Sequence, residues 1–341
     1  MQGVAKLERG EGNVGLLDVP DPEVTPGHVL IEVAAAGVCG TDIHIYHDEY
    51  ASNPPVIMGH EVAGAIAEVG AGVTNCKTGD RVTAETYFSV CHQCEYCRSG
   101  WPNLCLQRQS IGTHVHGGFT QYVLVPAYNI HHLPANVDEI SGSLSEPLTC
   151  CVHAFEQTHV EPGEIVVVSG PGAIGLLMAQ VVKAAGAYTV VLGTTADEAR
   201  LALARELGVD LTLDVQAKNA QNTIEELTDG LGADVVFECS GAAPSAQSCL
   251  ELVRRRGRYG QVGLFGKPIQ LDVDLICFKE LAVHGTFAHV PGAWRKALAL
   301  MSSGAVQTRP LVRDILPISE WREAFAAFER RDGVKIVFQP Q

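Results

Sequence analysis

The sequence predicts an α/β protein of two domains, one an irregular β-rich domain and the other a doubly wound parallel sheet. Three observations support this. The chain has 341 residues, which is too long for most single hydrophobic cores. From Glu164 onward, short β-branched segments alternate with helical segments. Before residue 150, short alternating strands are instead broken by Gly, Pro and Asp.

The parallel sheet is predicted from six strand-like segments, most of them separated by stretches with helical periodicity. The first, EIVVVSG, leads into PGAIGLLMAQVVKAAG, and the second, YTVVLG, leads into ADEARLALARELG. Regular alternation of this kind is typical of a doubly wound sheet. The predicted strands are 164–170, 188–193, 211–215, 233–241, 257–266 and 280–287.

The β-rich region and the C-terminal tail are predicted to form the other domain. HVLIEVAAAG (28–37) and EVAGAIAEVG (61–70) alternate as strands do. The tail, from about Pro291, has two helical stretches and a closing strand, KIVFQP, which we expect to return to the first domain. The predicted domains are therefore 1–151 with 288–341, and 152–287.

Composition excludes several classes of protein. Hydrophobic residues make up 46% and charged residues 18% of the chain, which favours a packed protein over a disordered one. The net charge of −15 argues against nucleic acid as a partner. No apolar run approaches the roughly 18 residues of a membrane span, and the N-terminus lacks the apolar segment of a signal peptide. A cytoplasmic protein is expected, in which the eleven cysteines stay reduced.

Residues 91–105, CHQCEYCRSGWPNLC, contain a dense cysteine cluster with the spacing C-x2-C-x2-C-x7-C. Four thiolates complete a tetrahedral zinc site. An iron–sulfur cluster also takes four thiolates, but the similar ferredoxin pattern has proline after its last cysteine, where this chain has Leu106. A four-cysteine zinc site has no open position, so it is predicted to be structural. Its ligands are Cys91, Cys94, Cys97 and Cys105.

A glycine-rich loop, SGPGAIG, follows the first predicted strand and opens a helix. This context identifies G-x-G-x-x-G as a dinucleotide-binding motif of the Rossmann type. Gly170 allows the tight turn, Gly172 lets the backbone approach a pyrophosphate, and Gly175 allows close helix–strand packing. Ala173 and Ile174 lie in the first turn of the helix, whose N–H groups favour an anion.

The second strand lacks the carboxylate that usually binds the adenosine ribose. Thr194 and Thr195 stand at its end. Asp197 and Glu198 follow in the first turn of the next helix, where they favour its dipole, and Arg200 lies one turn further on. The sequence therefore leaves the choice between NAD and NADP open.

Candidate metal ligands for a second site lie in three separate segments. GVCGTDIHIY, VIMGHEVAG and LSEPLTC each contribute soft, imidazole or carboxylate groups. Such a mixture can form a catalytic zinc site with one open position. The candidate residues are Cys39, Thr41, Asp42, His44, His60, Glu61 and Glu146.

The chain resembles the zinc-dependent medium-chain alcohol dehydrogenases, in the branch of the sorbitol (polyol) and threonine dehydrogenases. The resemblance covers nearly the whole chain and rests on GVCGTDIHIY, GHEVAG, the four-cysteine cluster, EPLTCCVHA and SGPGAIG, in family order. It implies a GroES-like catalytic domain beside the Rossmann domain. It also implies two zinc ions per chain, NAD or NADP as cofactor, and a homotetramer.

The resemblance also implies a role for each candidate. Cys39 and His60 match the constant ligands of the catalytic zinc. Glu61 and Glu146 match carboxylates that ligate the metal or hold its water. The four-cysteine cluster matches the structural zinc lobe.

Three further roles concern the substrate and its proton. Thr41 matches the hydroxyl that contacts the substrate oxygen, and His44 matches the outer end of a proton relay. A histidine in such a relay can pass a proton outward near neutral pH. Asp42 is either a turn residue or a group that orients a ligand such as His60.

The predicted substrate is a small polyol, diol or other secondary alcohol, oxidised to its ketone. EPLTCCVHA favours the polyol branch, and segments 39–61 and 144–154 contain no Arg or Lys to bind an amino-acid carboxylate. CGTDIHIYHDEY instead favours an enzyme like L-threonine 3-dehydrogenase, and Ala288 follows Phe287 where polyol enzymes tend to have arginine. A non-enzymatic dinucleotide-binding redox sensor and a zinc-free relative of quinone reductases are alternatives that the intact metal-ligand set disfavours.

Overall fold

The computed structural model describes residues 1–340, which divide into two compact units. The first comprises Met1–Glu146, His289–Ser302 and the chain from Thr308 onward. The second comprises Pro147–Ala288 and Ser303–Gln307. Among residues 1–340, no helix combines the length and apolar character needed to cross a membrane.

The strands range in length from two to ten residues. In chain order they are β1 (Gln2–Lys6), β2 (Val14–Asp18), β3 (His28–Gly37), β4 (Val56–Ile57), β5 (Glu61–Val69), β6 (Arg81–Ala84), β7 (Tyr87–Ser89), β8 (Gln109–Ser110), β9 (Tyr122–Pro126), β10 (Ile130–His132), β11 (Ile165–Ser169), β12 (Tyr188–Gly193), β13 (Leu211–Asp214), β14 (Ala233–Glu238), β15 (Val253–Gln261), β16 (Ala282–Gly285), β17 (Val312–Pro317) and β18 (Lys335–Gln339).

The helices include several of only one or two turns. They are α1 (Gly40–Tyr46), α2 (Glu95–Arg98), α3 (Glu139–Ser143), α4 (Ser145–Thr158), α5 (Ala173–Ala184), α6 (Glu198–Glu206), α7 (Ala220–Leu227), α8 (Ala243–Leu252), α9 (Asp274–Phe278), α10 (Pro291–Ser302) and α11 (Trp321–Glu329).

The first unit is built on a mixed sheet in the order β10-β6-β5-β3-β18-β17, with β9 also paired to β3, and a smaller sheet β2-β1-β4. β18 pairs antiparallel with β3, with Val337 opposite Gly37, so the tail returns to the first unit as predicted. The core includes Phe119 and Phe338, both fully buried, whose rings meet edge-on at 4.9 Å. Alternating apolar residues on β3 and β5 fill one face of this sheet.

The second unit contains the predicted six-stranded parallel sheet, in the order β13-β12-β11-β14-β15-β16. Residues Val166–Val168 in β11 are fully buried, which explains their unbroken β-branched run. The strand order reverses between β11 and β14, and ligands of doubly wound sheets bind at the carboxyl edge of such a switch point. The predicted fold class is therefore confirmed for both parts.

Several strand boundaries differ from the sequence-based expectation. β15 begins at Val253 rather than 257, because the arginine-rich segment before Gly257 extends the strand despite its charge. Helix α5 begins at Ala173, since Pro171 and Gly172 still belong to the turn after β11. The last strand of the sheet, β16, covers only four of the eight residues predicted for it.

Candidate active site

Strand pairing brings the candidate metal ligands of the first unit together. β3 and β5 are antiparallel neighbours, with Gly37 opposite Glu61. Cys39 lies two residues after the end of β3, and His60 immediately precedes β5, so both lie at the same edge of the sheet. The ligand atoms of Cys39, His60 and Glu61 all lie within 4.8 Å of one another. Ligands about 2.0–2.3 Å from a tetrahedral zinc would be separated by about 3–4 Å, which this arrangement can provide.

Helix α1 fixes the position of Cys39. Cys39 is the N-cap residue of the helix, and its backbone N–H donates a 2.9 Å hydrogen bond to Asp42 Oδ2. Asp42 is fully buried, and its other oxygen lies 3.8 Å from His60 Nδ1. Asp42 therefore caps the helix and also faces a candidate ligand, so both interpretations from the sequence describe it.

Buried polar atoms without hydrogen-bond partners indicate whether this group of residues can hold a metal ion. Asp42 Oδ1 and His60 Nδ1 are buried and have no hydrogen-bond partner among residues 1–340. Burial lowers the pKa of His60, but the negative charges of Cys39, Asp42 and Glu146 outweigh it and raise the pKa well above its ordinary value. An enclosed anionic group of thiol, imidazole and carboxylate is what a catalytic zinc requires. The residues present therefore fit zinc.

Glu61 also contacts a buried lysine that sequence analysis missed. Lys335 Nζ, on β18, lies 2.6 and 2.5 Å from the two Glu61 carboxylate oxygens, and only 3% of the Lys335 side chain is exposed. Burial lowers the pKa of Lys335, but the Glu61 carboxylate and the Cys39 thiol raise it above the ordinary value. The space is tight, because a Cβ on Gly37 would stand 2.1 Å from Glu61 Oε2.

Glu146 lies beside the metal-ligand set without joining its closest group. Its negative charge is one of the causes of the raised pKa of His60. Its Oε1 lies 3.7 Å from His289 Nε2. The structure thus brings Glu146 close to the metal-ligand set and brings Glu61 into it.

The proton-relay candidates are only partly brought together. His44 Nδ1 lies 2.6 Å from Glu49 Oε2 at the exposed end of helix α1. No hydrogen bond joins the Thr41 hydroxyl to the His44 ring among residues 1–340. Glu49 is a neighbour of His44 that sequence analysis did not identify. It lies only five residues after His44 in the sequence, and this short separation could have indicated the contact.

The four-cysteine cluster forms a second metal-ligand group in the first unit. All four sulfur atoms lie within 4.8 Å of one another. Backbone N–H groups donate to them, including Cys94 N to Cys91 Sγ at 3.3 Å and Cys97 N to Cys94 Sγ at 3.4 Å. Donors from Gln93 and Cys94 lower the pKa of Cys91 to about 6, which favours the thiolate. This group fits a closed tetrahedral zinc site.

Three glycines in the loop of the second unit have different structural roles. Gly170 has φ +101°, and a Cβ there would meet Ser240 at 2.7 Å. A Cβ on Gly175 would stand 1.8 Å from the Gly170 carbonyl oxygen. Gly172, the N-cap of α5, has no atom within 4 Å of a Cβ position, so open space lies over the N-terminus of the helix. Ala173 and Ile174 form the first turn below this space.

Two carboxylates, Asp197 and Asp214, hydrogen-bond to the threonines at the end of β12. Thr194 Oγ1 donates to Asp197 Oδ2 at 2.8 Å, and Thr195 Oγ1 donates to Asp214 Oδ2 at 2.6 Å. Arg200 lies 3.5 Å from Asp197. Asp214 was missed because it ends the next strand, and only the pairing of Gly193 with Asp214 brings it beside the threonines.

Comparison with known proteins assigns the family. The family model described as Alcohol dehydrogenase GroES-like domain matches residues 25–135, and that described as Zinc-binding dehydrogenase matches residues 173–303. Together they cover most of the chain. The chain belongs to the zinc-dependent medium-chain alcohol dehydrogenase family, as the motifs predicted. It is a zinc-containing, NAD(P)-dependent dehydrogenase.

Individual relatives align over their whole length. A sorbitol dehydrogenase from Halalkalibacterium halodurans is 43% identical over 100% of this chain and 99% of its own. A D-arabitol-phosphate dehydrogenase from Enterococcus avium is 40% identical over 99% of this chain and 97% of its own. An L-threonine 3-dehydrogenase from Bacillus velezensis is 35% identical over 100% of this chain and 99% of its own.

The fold also matches solved structures. A protein from Sinorhizobium meliloti, described as a zinc-binding dehydrogenase and solved bound to NADP, superposes with a TM-score of 0.91. It is 32% identical, and the match covers 100% of this chain and 99% of that one. This similarity supports both the predicted fold and the predicted class of cofactor.

Proposed function

We propose that this enzyme interconverts a small polyol, diol or other secondary alcohol and its ketone by hydride transfer to or from NAD(P). The observation that supports this most is the mixed set of Cys39, His60 and Glu61, with Glu146 beside it. Three protein ligands leave one position for a substrate oxygen. A carboxylate ligand, with a second carboxylate nearby, makes the centre harder than two thiolates would, which suits an alcohol oxygen with an adjacent hydroxyl.

The roles of the side chains follow from their positions. Zinc bound by Cys39, His60 and Glu61 would supply a Lewis acid that polarises an alcohol oxygen. In this proposal Thr41, in the first turn of α1, contacts that oxygen, and the His44–Glu49 pair accepts its proton at the exposed end of the helix. Glu146 would ligate the metal or hold its water.

The cofactor site is proposed to lie in the second unit. The open space at Gly172 and the N-terminus of α5 suit a pyrophosphate, with Gly170 and Gly175 shaping the loop. Thr194, Thr195 and Arg200 would lie near the adenosine ribose. Arg200 favours a 2′-phosphate whereas Asp197 and Asp214 disfavour it, so we propose a modest preference with both NAD and NADP accepted.

The charges near the metal-ligand set argue against an amino-acid substrate. An amino acid would need a cation for its carboxylate. Lys335 is the lysine of the metal-ligand region, and it contacts both oxygens of Glu61. The relatives favour a polyol over an amino acid, since the sorbitol and arabitol-phosphate dehydrogenases are more similar to this chain than the threonine dehydrogenase is.

A second candidate is an enzyme like L-threonine 3-dehydrogenase. It is favoured by the segment CGTDIHIYHDEY and by the 35% identity to the Bacillus velezensis enzyme. A non-enzymatic redox sensor is disfavoured because the metal-ligand set is intact.

We further propose a cytoplasmic homo-oligomer, a tetramer by family resemblance, with no nucleic-acid partner. β16 is an edge strand with a single neighbour among residues 1–340, and exposed apolar side chains lie on it and before it, including Val283 and Phe278. Exposed edges of this kind favour pairing with another chain. In this proposal 1–151 with 288–341 is the catalytic domain and 152–287 the dinucleotide-binding domain.

A substrate panel tests the proposal. Initial rates with sorbitol, xylitol, 2,3-butanediol, a simple secondary alcohol and L-threonine are compared with each cofactor. We expect the highest kcat/KM with a polyol or diol. The highest kcat/KM with L-threonine would overturn the proposed substrate class and favour the second candidate.

A further inference from the structure

His289 is a fully buried histidine of the first unit for which sequence analysis found no role. We infer that His289 is a positioning residue that holds the Glu146 carboxylate toward the metal-ligand set by donating from Nε2 in a single fixed tautomer. The inference rests on the proposed zinc-dependent function. It concerns how a carboxylate beside the metal is oriented.

The tautomer follows from the hydrogen bond made by Trp294. Trp294 Nε1 lies 3.1 Å from His289 Nδ1 and donates to it. An indole N–H can only donate, so Nδ1 of His289 must be the acceptor. The ring proton of the neutral imidazole therefore belongs on Nε2. This assignment needs no assumption about pH, because it follows from the donor on one side of the ring.

The Nε2–H is directed at two oxygen atoms. Thr86 Oγ1 lies 3.2 Å away and Glu146 Oε1 lies 3.7 Å away. The threonine oxygen is within hydrogen-bond range, and a shift of about 0.7 Å would bring the carboxylate oxygen to the usual N–H···O distance as well. At 3.7 Å the carboxylate oxygen is not itself hydrogen-bonded to Nε2, so the inferred donation requires that shift.

The ring itself cannot easily turn away. The Tyr87 ring stacks on the imidazole at 4.6 Å with an interplanar angle of 30°, and Trp294 meets it edge-on at 5.1 Å. The Tyr87 hydroxyl donates to the His289 carbonyl oxygen and accepts from its backbone N–H. Both the backbone and the side chain of His289 are therefore held.

Trp294, which contacts His289, is itself held in place by further side chains. Trp294 stacks on His131 at 4.7 Å with nearly parallel rings, and His131 Nε2 lies 3.0 Å from the buried Glu85. Thus Trp294, whose N–H sets the tautomer, is itself fixed by packing.

Outer partners of this kind are a general feature of metal sites. Carboxylates near a metal are usually hydrogen-bonded by a further residue that orients them, and loss of that residue typically costs about 10–100-fold in metal affinity or activity. A neutral imidazole donor orients Glu146 while leaving its negative charge available to the metal. We therefore expect His289 to affect metal retention as well as turnover.

Two substitutions at His289 separate the role of the Nε2 donor from that of the Nδ1 acceptor. The amide of His289→Asn can place its oxygen near the position of Nδ1 and still accept from Trp294, but it has no group at Nε2. The longer amide of His289→Gln can place an N–H near Nε2. His132→Asn, at a half-exposed histidine bound to Asp80, is the matched control.

The experiment measures metal retention in the holoenzyme. Loss of the catalytic zinc to a chelator is timed, and visible spectra are recorded after cobalt replaces that zinc. We expect His289→Asn to lose the catalytic metal about 10–100-fold faster and to alter the cobalt spectrum, with kcat/KM falling in parallel. His289→Gln should restore most of both, and His132→Asn should behave like the wild type.

Two results would overturn the inference. One is wild-type metal retention and an unchanged cobalt spectrum in His289→Asn, whatever its activity. The other is equal metal loss in His289→Asn and His289→Gln, which would indicate a purely structural role. Failure of the proposed function would instead appear in the wild type, as absence of a catalytic zinc or of alcohol turnover.

Discussion

At the residue scale, the Glu61 carboxylate contacts the buried Lys335 ammonium and also belongs to the metal-ligand set. Breaking a buried ion pair leaves an uncompensated charge, which typically costs about 3–5 kcal/mol. A metal ion bound by Glu61 would compensate part of that charge. The stability effect of removing Lys335 should therefore depend on whether the catalytic zinc is present.

We predict that Lys335→Met lowers the free energy of unfolding by about 3–5 kcal/mol in protein stripped of the catalytic zinc, and by less in the loaded enzyme. Urea unfolding of both forms measures this. Lys6→Met is the control. Lys6 is equally buried, but among residues 1–340 its ammonium donates only to backbone carbonyls, so the effect of removing it should not depend on zinc. Equal losses in both forms of Lys335→Met would show that Glu61 does not face the metal.

We predict that His44→Ala slows turnover mainly at low pH, where proton release from the substrate is harder. The contact between His44 and Glu49 places this pair at the exposed end of α1, so water can replace the histidine in part. The loss should be about 10²-fold, at the low end for general acid–base groups. The pH dependence of kcat measures it, and an unchanged profile would remove His44 from the mechanism.

At the element scale, the fold requires glycine at some positions of the loop before α5 but not at Gly172. Gly175→Ala would place a Cβ 1.8 Å from the Gly170 carbonyl oxygen, whereas Gly172→Ala meets nothing within 4 Å. We predict that Gly175→Ala loses about 1–3 kcal/mol of stability. Gly172→Ala should keep wild-type stability but weaken NAD(P)H binding about tenfold, or 1.4 kcal/mol.

Thermal unfolding and fluorescence titration with NADH and NADPH distinguish the two variants. Each variant serves as the control for the other, since they change the same residue type in the same loop. Unchanged nucleotide affinity in Gly172→Ala would show that the pyrophosphate does not approach this position.

Helix α1, which positions the active-site candidates, is also anchored at its C-terminal end. His47 Nε2 lies 2.6 Å from Glu329 Oε1 of α11, and this hydrogen bond is the main cause of the raised pKa of His47, with Glu11 adding to it. A raised pKa means that the pair stabilises the fold fully below about pH 6.5, the ordinary histidine value. That stabilisation is lost as the pH rises through the raised value.

We predict that Glu329→Gln lowers the free energy of unfolding more at pH 6 than at pH 9. The effect should stay below about 1 kcal/mol, because both side chains are partly exposed. Urea unfolding at the two pH values measures it. Glu11→Gln should have a smaller effect, since Glu11 is more distant and more exposed, and a pH-independent loss in Glu329→Gln would contradict the assignment.

At the scale of the whole molecule, the fold class was predictable because the central strands of the second unit's sheet are buried on both faces and leave unbroken apolar runs. The four-cysteine cluster and the glycine loop are local in sequence, so their spacing indicated them. Lys335, Asp214 and His289 were not predictable in this way. Each of these residues is brought to its site by strand pairing or by the return of the C-terminal tail to the first unit. Local sequence patterns do not indicate which strands pair or in which register.

Metal content per chain, measured together with turnover, tests most directly the central claim of one catalytic and one structural zinc. Elemental analysis of the fully metallated wild type should give two zinc ions. Cys39→Ser should give one, keep the fold and lose turnover, whereas Cys97→Ser should chiefly lose stability or assembly. A single zinc in the wild type, or full turnover in Cys39→Ser, would contradict the account.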